Sequence, residues 1–222
     1  MKRYSWRFVL MLSVMFLGTV CATAQKQSKR QSKKHTVAKA QRGREVFDKA
    51  YNQFFGPEGS RITYSVNIIG LFKTSGTIWN KGKKSAWDEP KVRVWNNGEK
   101  YVRLDKSKKQ IDIFYPNDPN RNSHSSLMEF NPENYNYELE EKDGEYHVLI
   151  KAKPKVSGIK NVTLALERQS LAPKYLKVKW GIFHIKIHLS NFKVGGISDD
   201  VFDFPTEKYK DYQTIDHRKK EK

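Results

Sequence analysis

The 222-residue chain carries 42 Lys and Arg against 24 Asp and Glu, a net charge of +18 at pH 7, and its residues are 37% hydrophobic and 13% aromatic. The length suits one domain with a substantial core, and a single cysteine, Cys21, excludes a disulfide framework. So large a charge raises nucleic acid as a partner, but a secretory start argues against it and leaves membrane surfaces, envelope polymers and acidic proteins.

Lys2, Arg3 and Arg7 lead into an apolar run from Phe8 to Val20, and Ala22-Thr23-Ala24 follows. A charged start, a short apolar run and an A-x-A site predict a cleavable signal over residues 1–24, cut before Gln25. The run is shorter than the about 20 residues of a membrane-spanning helix. Val20 occupies the position where a lipoprotein signal needs a small residue, so Cys21 is expected to leave with the signal. The signal carries three basic residues and no acid, so +18 falls to +15 in the mature chain, which is expected in the periplasm.

From Gln25 to Arg44 there are eight Lys or Arg, no acid, and Val37 as the lone large aliphatic residue. Residues 25–37 are therefore predicted to be a flexible basic arm, and anionic lipid head groups are the partner such an arm would find. Val46, Ala50 and Phe54 then recur every four residues beside Phe47 and Tyr51, ahead of Gly56-Pro57. This predicts an amphipathic helix over 38–55 with a glycine stop.

After the helix the period changes to two. Ile62, Tyr64, Val66 and Ile68 alternate with Thr63, Ser65 and Asn67, as in a half-buried strand. Further strands are predicted at 75–80, 84–88, 91–95, 100–104, 110–115, 146–152, 161–167, 174–180 and 182–192. Turn signals such as Asn80-Lys81-Gly82, Asn96-Asn97-Gly98, Asp143-Gly144 and Ala172-Pro173 separate them. About 10–11 short strands predict a mainly β chain folded as an antiparallel sheet curling toward a barrel or sandwich. Between Pro116 and Tyr137 the pattern breaks, and Leu127, Met128 and Phe130 before Asn131-Pro132 predict a short apolar helix.

The segment "GIFHIKIHL" at 181–189 tests the alternation. On a helix, His184 and His188 could share a metal. Here Phe183, Ile185, Ile187 and Leu189 alternate strictly with His184, Lys186 and His188. On a strand the histidines lie about 13 Å apart, too far for one ion. The polar set is predicted to face water and the apolar set to face a cavity.

No G-x-S-x-G elbow, S-x-x-K pair, H-E-x-x-H helix or Walker-type loop occurs, and Glu138, Glu140, Glu141 and Asp143 read as an exposed acidic run. Neither metal nor cofactor is expected, and the chain is read as a binding protein rather than an enzyme. What the strands supply in quantity is large apolar surface, enough for a pocket that holds an apolar ligand. The candidate lining is Ile62, Tyr64, Val66, Ile68, Trp79, Trp87, Ile111, Ile113, Leu127, Met128, Phe130, Val178, Trp180, Phe183, Ile185, Ile187 and Leu189.

The order of these pieces resembles a known family. The signal peptide, the helix at 38–55, and "SGTIWNKGKKSAWDEPKVRVWNNGEKYVRLDKSKKQIDIFYPND" at 75–118 look like the strand, Asn-Gly turn and strand run of the LolA-like periplasmic outer-membrane lipoprotein carriers. Asn131-Pro132 with Tyr135 looks like that family's "NP" helix, and "FDFPTEKYKDYQTIDHR" at 202–218 is similar to its closing pattern. Two departures stand out. Lys83-Lys84-Ser85-Ala86-Trp87 replaces an Arg-Pro pair before an early-strand aromatic, and His217 replaces a leucine near the end.

The resemblance implies an unclosed antiparallel barrel with an N-terminal helix and a short helical lid over an apolar cavity, spanning 38–218 before a charged tail at 219–222. It implies a monomeric carrier that shields lipoprotein or lipid acyl chains between inner-membrane release machinery and an outer-membrane acceptor. The second reading is an envelope sensor of the same fold that binds stray lipoprotein or lipid and signals to a membrane partner. The third is an envelope hydrolase.

Overall fold

A computed structural model describes residues 37–68, 72–121, 131–156, 159–180 and 183–218. The signal, nearly all of the basic arm, the predicted helix at Leu127, Met128 and Phe130, and the tail at 219–222 lie outside them.

Helix α1 covers 37–55. Twelve strands follow: β1 (Ser60–Ile68), β2 (Phe72–Lys81), β3 (Lys84–Asp88), β4 (Val92–Asn96), β5 (Tyr101–Asp105), β6 (Gln110–Phe114), β7 (Tyr135–Lys142), β8 (Glu145–Ala152), β9 (Asn161–Glu167), β10 (Pro173–Trp180), β11 (Phe183–Val194) and β12 (Gln213–Asp216). All belong to one sheet in the order β12-β6-β5-β4-β3-β2-β1-β11-β10-β9-β8-β7. The sheet ends in two edges, β12 and β7, so it is an unclosed barrel of mainly β class. Every pairing is antiparallel except β12 with β6.

Two strands exceed the expectation. β7 alternates Tyr135, Tyr137 and Leu139, all buried, with Asn136, Glu138 and Glu140, so part of the acidic run is the polar side of a strand. β12 is four residues long and pairs through backbone with a distant edge. The segment after Asn131 is a 3₁₀ turn, Pro132–Asn134, whose Glu133 N–H donates to the Asn131 side chain.

Residues in register on neighbouring strands share a face. One run of pairs is Leu139, Val148, Leu164, Leu176, Ile187 and Val66. A second is Ile62, Ile78, Trp87, Val94, Arg103 and Asp112, joined to the first by alternation along β1. Helix α1 packs on this side, with Val46, Phe47 and Ala50 against Tyr137, Leu139, Val148 and Ile150. We call it the helix face.

Gly43 makes the approach of α1 possible, because a Cβ there would sit 2.9 Å from the Glu138 backbone. Arg42 pairs with Glu141 and Arg44 with Glu133, and at the far end the Ser60 hydroxyl donates to the Phe54 carbonyl at 2.7 Å.

The opposite, tail face holds Trp79, Ala86, Trp95, Val102 and Ile113 in register. The C-terminal segment covers it over β4–β6, where Phe204, Tyr209 and Tyr212 pack on Trp95, Val102, Leu104 and Ile111. Arg93 lies over both Trp79 and Trp95, at 4.8 and 5.2 Å.

Candidate functional site

The helix face is covered unevenly. Under α1 the side chains are fully packed, with Val148 0% and Ile150 3% exposed. A second cluster, Val94, Tyr101 and Phe114 with Trp87 against it, fills the β3–β6 end. Between them, on β9, β10, β11 and β1, the apolar side chains stay half-buried: Val162, Leu164, Leu176, Val178, Ile185, Ile187, Leu189, Tyr64 and Ile68. They lie centrally in a twelve-strand sheet, where burial is the usual fate of such residues. A contiguous, partly uncovered apolar strip of this kind marks a place where something apolar can bind.

Its margins are polar and fixed. Gly76 opposes Tyr64 in register, and a Cβ there would meet the Tyr64 ring at 2.9 Å, so the glycine leaves room for the ring. The Tyr64 hydroxyl donates to Glu89, and burial first, then this bond, pushes the phenol well above its ordinary range. Toward the β6 edge, Asp112 is 3% exposed and accepts from Arg103 at 3.0 Å, Gln110 at 3.1 Å and His217 at 2.9 Å. Burial pushes this carboxyl up, but the bonds from His217, Arg103 and Gln110 outweigh it and hold it below its ordinary range. The His217 ring stacks on Phe114 at 4.4 Å. Here the imidazole both packs and hydrogen bonds.

Of the expected lining residues, the structure brings Ile62, Tyr64, Val66, Ile68, Trp87, Val178, Ile185, Ile187 and Leu189 onto one face, with Ile62 and Val66 buried. Trp180 and Phe183 pair across the end of β10 and β11 through their backbones. Leu127, Met128 and Phe130 lie outside the described residues. Trp79, Ile111 and Ile113 are corrections: their register puts them on the tail face, packed under Arg93 or the C-terminal segment. His184, Lys186 and His188 are exposed on that same tail face, as the alternation predicted.

The sequence reading missed the Asp112, Arg103 and His217 cluster. A lone acid between two isoleucines, in the run Ile111-Asp112-Ile113, was its only local sign.

Residues 34–182 match the family model described as "Outer membrane lipoprotein carrier protein LolA". Against curated protein sequences the chain has no match. Among solved structures, an uncharacterised conserved protein from Thermus thermophilus is similar at 10% identity and a TM-score of 0.54, covering 78% of this chain and 98% of that one. A LolA superfamily protein from Nitrosomonas europaea is similar at 9% identity and a TM-score of 0.37, covering 73% of this chain and 97% of that one.

Proposed function

We propose, from the premise that this chain belongs to the LolA family of outer membrane lipoprotein carriers, that it is a periplasmic carrier that shields acyl chains of lipoproteins or lipids on its helix face. The observation that carries the reading is the half-buried strip of Leu164, Leu176, Val178, Ile185, Ile187 and Leu189 at the centre of the sheet. Each CH₂ removed from water contributes about 0.8 kcal/mol, so a multiply acylated cargo gains enough from such a surface to leave a bilayer with help. Broad apolar contact without strong directional bonds also lets the cargo go again, because affinity then depends on how well the surface is covered rather than on particular hydrogen bonds. The work is binding without catalysis, and the signal at 1–24 delivers the chain to the compartment where it is needed.

The test is native mass spectrometry of the protein purified from the periplasm of an expressing bacterium. The expected result is a polypeptide starting at Gln25 that carries lipid or an acylated peptide, released when Ile187 is changed to Asn. A chain free of lipid that also fails to take up a fluorescent fatty acid would refute the carrier reading. A stoichiometric membrane protein co-purifying with lipid-free chain would favour the sensor.

A further inference from the structure

We propose that the tail face of β10, β11 and β2 is a docking surface for an anionic lipid bilayer. The proposal does not rest on cargo binding by the helix face. In register across this side, Lys177 stands directly opposite Lys186 and Lys179 opposite His184. Asn67, next along from the Val66–Ile187 pair, faces Lys73 on β2. One row therefore reads Thr163, Lys177, Lys186, Asn67, Lys73, and all three lysines are exposed, as are Lys179, His184 and His188. Among the described residues none of these six is in an ion pair. The acids on the adjoining strands are already engaged, Asp88 on β3 by Arg93 and Lys106, and Glu167 on β9 by the Ser170 hydroxyl.

Like charges directly opposite on a sheet destabilise it. Nothing in the fold requires lysine on a solvent face, where threonine or serine would pair better, so the row is held against a cost. Lys186 lies over the Tyr175 ring at 4.2 Å, which orients its ammonium without neutralising it.

The surroundings select the partner. Protein–protein interfaces concentrate aromatic and apolar residues at their centre and are depleted in lysine. Here the residues around the lysines are Asn161, Thr163, Ser65, Asn67 and Ser75, with Tyr175 as a half-buried ring beneath Lys186. An array of flexible ammonium groups about 15 Å across four strands fits the laterally spread phosphates of a bilayer, for which each basic residue near the surface contributes roughly five-fold in affinity.

The experiment measures co-sedimentation of the full mature chain with vesicles of phosphatidylglycerol and phosphatidylcholine, or of phosphatidylcholine alone, at low salt. One variant changes Lys73, Lys177, Lys179 and Lys186 to Gln. Its control changes Lys49, Lys91, Lys108 and Lys210, exposed and away from this row, to Gln, which removes the same charge. The tail-face variant is expected to bind phosphatidylglycerol vesicles at least ten-fold more weakly than the control, and to melt no lower than the parent. A Lys177→Arg, Lys186→Arg variant keeps the charge and should keep the binding. Equal losses in variant and control would assign the effect to net charge and overturn the proposal. So would unchanged vesicle binding, a lowered melting temperature in the Gln variant, or binding to soluble polyglutamate but to neither vesicle.

Discussion

Ile150 and Ile187 are the same residue on the same face of the same sheet, differing in what lies over them, and replacing each by Ala isolates that difference. Ile150 is 3% exposed beneath α1. Its change to Ala removes three carbons' worth of transfer free energy, about 2.4 kcal/mol. The sealed void it leaves raises the total to about 3 to 4 kcal/mol, within the range for such substitutions. Ile187 sits between Leu176 and Val66 and is half-buried. About half of the transfer term is at stake and little void is sealed in, so its cost should be about 1 kcal/mol. Urea unfolding of each variant, beside a fluorescent fatty-acid titration, reads both quantities. Ile187→Ala and Ile187→Asn should weaken probe binding more than stability, and Ile150→Ala the reverse. Equal stability costs at the two positions, or full probe affinity in folded Ile187→Asn, would refute the reasoning that separates a binding strip from a packed core.

Gly43→Ala in a helix interior ordinarily stabilises by up to about 1 kcal/mol; here the added Cβ meets the Glu138 backbone at 2.9 Å, so calorimetry should find a lower melting temperature, and a rise would mean that α1 is not clamped on β7. Asp112 is held below its ordinary pKa by His217, Arg103 and Gln110 against the push of burial. Its contribution to stability is therefore complete above the unfolded carboxyl's pKa of about 3.9 and is lost as pH falls through the lower folded value. Asp112→Asn should flatten that acid limb of the stability curve in urea titrations from pH 5 to pH 2.

Alternation was enough to read most strands and the facing of 184–189, because in a half-buried strand each residue's polarity reports its own side. It does not say which side of one strand continues which side of the next. β2 carries Ile78 and Trp79 in succession, so one large apolar residue had to face each way. The choice depended on Ile78 pairing with Ile62 and Trp87. β6 misled more directly: Ile111 and Ile113 read as cavity lining. The C-terminal segment supplies an apolar cover for the isoleucines, while His217 and Arg103 satisfy the acid on the helix face. Those partners are remote in sequence or arrive from across a strand, which local period does not encode. β7 was hidden by its outward-facing acids, and β12 by its brevity.

The strand order has a consequence for how the molecule comes into being. From β1 to β6 and from β7 to β11 each strand lies beside its successor, so both meanders can zip up from short-range contacts. The β1–β11 ladder, which joins Ser60 to Val194, closes a very long loop, the kind of contact that slows folding. The apolar strip straddles this seam, with Tyr64, Val66 and Ile68 on one bank and Ile185, Ile187 and Leu189 on the other. Until that ladder forms, the β9–β11 bank and the β1 bank stay on separate halves of the sheet. The surface that would attract lipid reaches its full width only when the two halves meet.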